Sequence, residues 1–215
     1  AVIRELNTNA YDSHVMAGKP KKPIEVTLPT TWSCNFIVQD FGVGISPEQI
    51  EEIYTVYGES DKENDNSVTG CLGLGSKSMF CYHTKTATIE SIYNGIKYSY
   101  AAYIGTDNMP AMSELGQVPT SECNGVKITI PVNRNDVQNF ANKAKEIYEF
   151  FEPRPIIKGY SINFDKPSVL VQGDKWHLRE YGSNAVAIMA NVAYPINWSE
   201  SSLTSIESKM MKHPF

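Results

Sequence analysis

Two opposed stripes of side chains run along the first fourteen residues and predict an amphipathic helix. Glu5, Asn9 and Asp12 are spaced by four and then three residues, so a helix of about 3.6 residues per turn would project all three from one face. Apolar side chains occupy the opposite face at the same kind of spacing, namely Ile3, Leu6 and Ala10. Such a helix buries its apolar face, and a sheet is the expected partner. Its polar face is either simply solvated, which is the commoner case, or carries ligands.

The composition limits the classes of protein to which this chain can belong. Its 215 residues, of which 41% are hydrophobic and 20% charged, suit one globular domain and part of a second. No apolar run approaches the roughly 20 residues that a membrane-spanning helix needs. A net charge of -5 with one short basic cluster, at Lys19, Lys21 and Lys22, argues against a nucleic-acid surface. The four cysteines form no C-x-x-C pair, so we expect reduced thiols rather than a zinc site.

A carboxylate follows directly on the second of two predicted strands. The strands are predicted at 24–28 and 34–40, where β-branched and aromatic side chains are common. The second strand ends in DFGVG, in which Asp40 is followed by Gly42 and Gly44. The strand therefore delivers a carboxylate into a glycine-rich turn.

A second glycine-rich turn, GCLGLGSKS, follows a long polar segment. Residues 58–69 are charged and nearly without apolar side chains, which predicts a mobile loop. A glycine-rich turn that enters a helix can hold phosphate through its backbone N–H groups. Neither known fingerprint fits, because Ser76 separates Gly75 from Lys77 in a Walker-type reading and G-x-G-x-x-G does not occur. Glycine clusters of this kind are more often plain turns.

The rest of the chain favours an antiparallel sheet, a helix and a domain boundary. Asn94-Gly95 predicts a two-residue hairpin turn, and a helix at 135–151 ends before Pro153. We therefore expect one domain at 1–152 and the start of a strand-rich domain at 153–215, within a chain whose true N-terminus is missing because Ala1 opens inside a helical pattern. The other predicted elements are a helix capped by Ser46 with Pro47 at its first position, and strands at 87–93, 95–104, 126–132, 158–164, 168–172 and 184–194.

The ordered set of motifs resembles the GHKL ATPases, the superfamily of gyrase, heat-shock chaperones, histidine kinases and MutL. The set consists of a helix with Glu, Asn and Asp on one face, a strand ending in D-x-G-x-G, and G-x-x-G-x-G after a polar loop. The residues of these stretches are most similar to those of rIIA-like proteins of tailed bacteriophages, whose corresponding stretches also read like A-V-x-R-E-L-x-T-N-x-x-D-x-H, R/Q-D-F-G-x-G and G-L-G-S-K-S. The likeness covers roughly residues 1–165. It implies a Bergerat-type fold, an α/β two-layer sandwich whose mixed, largely antiparallel sheet is covered by helices on one face, followed by part of a transducer-like domain.

The resemblance also implies a site for ATP and Mg²⁺. Asn9 would bind Mg²⁺, Glu5 would activate the attacking water, and Asp40 would accept a hydrogen bond from the adenine amino group. The remaining implied contacts are Asp12, Gly42 and Gly44 near the base, Gly70, Gly73, Gly75 and Ser76 at the phosphates, and Lys77 either at a phosphate or in solvent. Residues 58–72 would form a lid over the nucleotide.

Two departures from the family pattern concern this site. The family usually has Gly-Thr in the strand that completes the adenine site, whereas this chain has Gly125-Val126. The family also takes a phosphate-sensing Lys or Arg from a following domain, and no candidate stands out before Phe215. We therefore expect ATP binding with slow hydrolysis.

For the biological role, the resemblance implies a protein that acts in the infected bacterium. rIIA-like proteins are associated with lysis control, with the host cytoplasm and the periphery of its inner membrane, and with an rIIB-like partner. The superfamily implies a homodimer that forms with nucleotide. One alternative is a MutL- or topoisomerase-like dimer that acts on DNA, which the acidic charge disfavours. The other is an interaction module that has lost catalysis.

Overall fold

The computed structural model describes residues 2–50, 76–164, 168–174, 176–179, 185–189 and 191–196, with only the backbone of residues 76 and 77. The chain divides into two compact units, Ala1–Asn163 and Phe164–Phe215. The described elements of the first unit are α1 (Val2–Met16), β1 (Glu25–Thr27), β2 (Asn35–Gln39), a 3-10 helix (Ser76–Cys81), β3 (Thr86–Tyr93), β4 (Ile96–Ile104), β5 (Pro110–Pro119), β6 (Gly125–Pro131), a 3-10 turn (Arg134–Asp136), α2 (Val137–Tyr148) and β7 (Ile156–Lys158).

In the described part of the chain, the first unit is built on a sheet of seven strands in the order β5-β4-β3-β6-β2-β1-β7. Neighbouring strands pair antiparallel, except that β1 and β7 are parallel. Asn94 and Gly95 join β3 to β4 with φ angles of 50° and 78°, which is the hairpin turn that Asn-Gly predicts. The mixed, largely antiparallel sheet is confirmed. The strands predicted at 24–28, 34–40, 87–93, 95–104 and 126–132 are confirmed as β1, β2, β3, β4 and β6.

Both long helices lie on the same face of this sheet. Side chains alternate along β2, so Phe36, Val38 and Asp40 share one face. The Phe36 ring packs against Phe140 of α2, with centroids 5.3 Å apart, and Val38 lines a cleft together with Leu6 of α1. The structure is therefore the predicted α/β two-layer sandwich.

Polar side chains share the buried face of α1 with its apolar stripe. The predicted stripe is buried, but Asn7, Ser13 and His14 are buried as well. Burying a polar group is costly unless it is hydrogen-bonded. Asn7 Nδ2 donates to the carbonyl of Ile3 within the helix. Ser13 and His14 instead bond to the turn after β2, which fixes α1 relative to the sheet.

The end of the first unit differs from the prediction. The strand predicted at 158–164 lies earlier, as β7 (Ile156–Lys158), and pairs in parallel with β1. Because β7 completes the first sheet, the first unit extends to Asn163 and not only to residue 152. β5 was not predicted at all, and it forms the opposite edge of the sheet.

The second unit is described only as two hairpins. β8 (Val169–Gln172) pairs antiparallel with β9 (His177–Arg179), and β10 (Val186–Met189) pairs antiparallel with β11 (Val192–Pro195). The single strand predicted at 184–194 is thus a hairpin. Among the described residues, no helix has the length and apolar character needed to cross a membrane.

Candidate functional site

A cleft opens between α1 and the helix-covered face of the sheet. It contains about 700 Å³ of empty space, part of which is open to solvent. Among the described residues that line it, the polar side chains are Asn9, Ser13 and Asp40. The other described side chains that line it are apolar, and they include Leu6, Ala10, Val38, Ile45, Ile50, Met79, Ile89, Met112, Val126 and Ile128. Such a cleft suits a flat, largely apolar ligand with a hydrogen-bonding group at one edge.

Asp40 is the buried charge of this cleft, with 5% of its surface exposed. Its Oδ1 accepts hydrogen bonds from Ser13 Oγ at 3.0 Å and from the Gly42 backbone N–H at 2.8 Å. Burial raises the pKa of the Asp40 carboxyl to about 6, although these two hydrogen bonds, the Val126 N–H and the Lys19 charge act in the opposite direction. The carboxylate is ionised at neutral pH but poorly solvated, so a ligand N–H donor would stabilise it.

Ser13 and His14 hold the turn at residues 40–45, and neither was assigned a role from the sequence. Ser13 Oγ accepts the Val43 N–H at 3.2 Å while donating to Asp40. His14 Nε2 accepts the Phe41 N–H at 2.7 Å, and its Nδ1 lies 2.8 Å from the carbonyl of Lys22. His14 must therefore be neutral with its proton on Nδ1. Burial lowers the pKa of His14, which favours that neutral form.

The basic cluster of the sequence also contacts this turn. Lys19 Nζ donates to the carbonyl of Phe41 at 2.9 Å, and Lys22 Nζ lies 4.0 Å from the centroid of the Phe41 ring. Both lysines thus contact Phe41, through its carbonyl or its ring, and the Lys19 charge favours the ionised form of Asp40.

Close packing explains both glycines of the turn. A Cβ on Gly42 would overlap Ser13 of α1, and a Cβ on Gly44 would overlap the carbonyl oxygen of Ile92 in β3. Gly44 also has a φ of 73°, which L side chains rarely adopt. The turn is therefore wedged between α1 and β3. The predicted approach of these glycines to a base stays a prediction.

A helix begins at the end of this turn, as predicted. Ser46 Oγ accepts the Gln49 N–H at 3.3 Å, and Gln49 Oε1 accepts the Ser46 N–H at 2.9 Å. This reciprocal pair is a capping box. On the sheet side, Ser91 Oγ exchanges two hydrogen bonds of 2.8 Å with the backbone of Ile45. The carboxyl-bearing turn is thus anchored on both sides.

The predicted residues of α1 lie at different distances from the cleft. Asn9 lines it together with Asp40, whereas Glu5 and Asp12 are not among its described lining residues. Both are partly exposed on α1, and burial raises the pKa of the Asp12 carboxyl.

Among the described residues no cluster of three acidic, histidine or cysteine side chains could hold a metal ion. A divalent cation here would depend on Asn9 together with oxygens of a ligand, which fits the preference of Mg²⁺ for few protein ligands.

The predicted phosphate contacts cannot be placed in the same way. Ser76 and Lys77 begin the 3-10 helix Ser76–Cys81, but their side chains lie outside the described part of the structure. Gly70, Gly73, Gly75 and the lid predicted at 58–72 lie outside the described residues.

The departure at Gly125-Val126 lies directly beside the buried carboxylate. Asp40 N–H donates to the carbonyl of Val126 at 2.9 Å, and the Val126 side chain lines the cleft. A Cβ on Gly125 would overlap the Asp40 carbonyl and lie 2.9 Å from Phe41 Cα. An apolar side chain therefore stands next to Asp40, and the hydroxyl that contacts this carboxylate belongs to Ser13. Its position four residues after Asn9, on the same helical face, was the signal available in the sequence.

Comparison with known proteins agrees with this arrangement. Residues 1–124 match the family model described as histidine kinase-, DNA gyrase B-, and HSP90-like ATPase. The matched range covers more than half of the chain and includes α1, β2 and the turn at residues 40–45. No curated protein matches the chain significantly.

Proposed function

Because this chain belongs to the family of histidine kinase-, DNA gyrase B- and HSP90-like ATPases, we propose that its first unit binds ATP in the cleft between α1 and the sheet. The observation that carries the proposal is Asp40, a carboxylate that is almost fully buried at one end of an apolar cleft. A buried charge without a strong partner is costly. A ligand that offers an N–H group to it recovers part of that cost.

Adenine fits the chemistry of the lining. Its flat ring would lie against apolar side chains such as Val38, Ile89 and Ile128, which line the same cleft. Its exocyclic amino group would donate to Asp40, whose Oδ1 is held by Ser13 and Gly42. The base would thus be recognised by one directed hydrogen bond and by burial of its faces.

We propose Mg²⁺-dependent hydrolysis as the reaction, with two residues of α1 in the leading roles. Asn9 would supply an amide oxygen to Mg²⁺, and the ion would neutralise charge on the phosphate oxygens. Glu5 lies one turn before Asn9, and its carboxylate would orient a water and accept its proton. A partly exposed Glu5 has access to that water, and slow turnover is expected because no cation from a following domain is assigned.

The binding claim is tested by replacing Asp40 and Glu5 separately. Asp40→Asn keeps an acceptor for Ser13 and Gly42 but presents an amide N–H₂ to the base, so MgATP binding measured by calorimetry should be lost. Glu5→Ala should retain binding and lose turnover. Asp107→Asn and Glu146→Ala are matched controls at exposed positions and should behave as wild type. Unchanged ATP affinity in Asp40→Asn would refute the site.

We further propose that residues 58–72 form a lid that orders over the nucleotide and promotes a homodimer. The support is composition, because Glu59, Asp61, Glu63 and Asp65 repel one another and few apolar side chains could stabilise an empty lid. Hydrogen exchange of this segment should slow when a non-hydrolysable ATP analogue is added. Sedimentation should then show a dimer, and a monomer at saturating analogue would contradict the dimer proposal.

For the biological role we propose that of an rIIA-like phage protein, acting in the host cytoplasm or at the inner membrane with an rIIB-like partner in lysis control. The proposal is supported by the similarity of the three motif stretches to the corresponding stretches of rIIA-like proteins. Co-purification of the full-length protein with membranes and with such a partner would favour this role. DNA-stimulated ATP turnover would favour a MutL- or topoisomerase-like protein instead. Absence of ATP binding at millimolar nucleotide would favour a module that has lost catalysis.

A further inference from the structure

We infer that Ser13 sets the base specificity of this site, by occupying one oxygen of Asp40 so that the carboxylate can serve only one ligand donor. The inference rests on the proposed nucleotide-binding function and adds a residue to it. Ser13 is a specificity-determining and positioning residue, because it acts through Asp40.

The hydrogen bonds at Asp40 are distributed unequally between its two oxygens. Oδ1 accepts from Ser13 Oγ at 3.0 Å and from the Gly42 N–H at 2.8 Å. A carboxylate oxygen has about two lone-pair sites, so Oδ1 has no remaining capacity. The Val126 N–H is a further backbone donor to this carboxylate. Because the bonds from Ser13 and Gly42 both end on Oδ1, we take Oδ2 as the oxygen that accepts from a ligand in the cleft.

Ser13 cannot easily turn away from this role. Its hydroxyl donates to Asp40 and at the same time accepts the Val43 N–H at 3.2 Å. The residue is buried, and the backbone of Gly42 lies so close that a Cβ there would overlap Ser13. The hydroxyl is therefore held in one orientation by partners on both sides.

The two purine bases differ in the number of hydrogen-bond donors that they would present to such a carboxylate. Adenine offers one exocyclic amino group, which a single oxygen satisfies. Guanine offers a ring N–H beside its amino group, and this pair of donors matches both oxygens of a carboxylate in a bidentate arrangement. With Oδ1 occupied, guanine would bury one donor that finds no acceptor among the neighbouring described side chains, because Val38, Val126 and Ile128 are apolar.

A purely structural role for Ser13 makes a different prediction. If the hydroxyl only stabilised the turn, its removal would weaken every nucleotide by the same factor. If it blocks Oδ1, its removal opens an acceptor that guanine can use and adenine cannot. The ratio of the two affinities therefore separates the two roles, whereas either affinity alone does not.

The test is calorimetric titration of the full chain with MgATP and with MgGTP, for the wild type, Ser13→Ala and Thr8→Ala. Thr8 is the matched control, since Thr8→Ala also removes a hydroxyl from α1, but the Thr8 Oγ1 donates within the helix, to the carbonyl of Arg4. We expect the wild type and Thr8→Ala to prefer ATP. In Ser13→Ala the ratio of ATP to GTP affinity should fall by about tenfold, which is the usual worth of one hydrogen bond.

Each outcome decides the matter. An unchanged ratio in Ser13→Ala, with both affinities reduced equally or not at all, would overturn the role of Ser13 and leave the proposed function intact. Equal affinity of the wild type for ATP and GTP would do the same. Binding of neither nucleotide by the wild type would overturn the proposed function and this inference with it.

Discussion

Replacing Asp40 with Asn should stabilise the free protein while it removes nucleotide binding. The amide oxygen can accept the same two hydrogen bonds, from Ser13 and from Gly42, that Oδ1 accepts now. The substitution removes the charge that burial disfavours. Asp40 would then be a residue that lowers the stability of the free protein and serves to bind the ligand.

The size of the effect follows from the pKa of Asp40, which burial raises from 3.8 to about 6. A folded-state pKa above the unfolded value means that this group favours folding most below the unfolded pKa. That contribution is lost as pH rises through the folded pKa. The shift corresponds to about 3 kcal/mol above pH 7. Near pH 4 most of this cost is absent, so less than about 1 kcal/mol should remain.

Urea unfolding followed by circular dichroism at pH 8 and near pH 4 measures both values. Asp40→Asn should raise the free energy of unfolding by about 1 to 3 kcal/mol at pH 8, since part of the charge-assisted hydrogen bonding is lost with the charge. The gain should largely disappear near pH 4. A gain that is equal at both pH values, or a loss of stability at pH 8, would refute the reasoning that burial of the Asp40 charge is costly.

Three further predictions concern the same turn. Binding of adenosine, which lacks titrating phosphates, should weaken about tenfold between pH 7 and pH 5, with a midpoint near the Asp40 pKa of about 6; a flat calorimetric profile would contradict an ionised Asp40 as acceptor. Gly44→Ala should lower the free energy of unfolding by more than about 2 kcal/mol, because its Cβ would overlap a β3 carbonyl. Gly18 has a similar φ of 69° but open space around it, so Gly18→Ala should lower the free energy of unfolding by less. Equal losses in the two variants would exclude the overlap as the cause. His14→Ala should lower the free energy of unfolding by about 2–4 kcal/mol, because two hydrogen bonds are lost. Burial lowers the His14 pKa, so the stability that neutral His14 contributes is lost as pH falls below about 6.5. In an Asp40→Asn background, His14→Ala should therefore make the free energy of unfolding depend less on pH below about 6.5, and an unchanged dependence would contradict a neutral His14.

The central strands could be predicted because apolar and polar side chains alternate along them. The edge strands β5 and β7 lack such alternation and were not predicted correctly. β5 contains Pro110, Gly116 and Pro119, residues that single-sequence reasoning assigns to loops, and among the described strands it pairs with β4 only. β7 is only three residues long, and its strand conformation depends on parallel pairing with β1. Short edge strands of this kind are determined by tertiary pairing, which a local pattern does not contain.

The site was predictable where a motif carries its own chemistry and not where contacts join distant segments. Asp40 could be singled out because the D-x-G-x-G motif at the end of a predicted strand belongs to the ordered set that resembles the GHKL ATPases. Ser13 and His14 are buried polar residues of α1, and helical spacing gives the face on which they lie but not the partners that they contact. Their partners Asp40 and Phe41 are 27 residues away in the chain. The pKa of Asp40 likewise depends on burial that only the folded chain provides.

Hydrogen exchange of the full chain, measured with and without a non-hydrolysable ATP analogue and Mg²⁺, tests the central claim that nucleotide occupies the cleft beside Asp40. Amides of the turn at residues 40–45 should exchange more slowly with the analogue, while those of β7 at the far edge of the sheet should be unaffected. The Asp40→Asn variant should show no slowing. Equal exchange of the turn in both states of the wild type, or the same slowing in Asp40→Asn, would contradict the account.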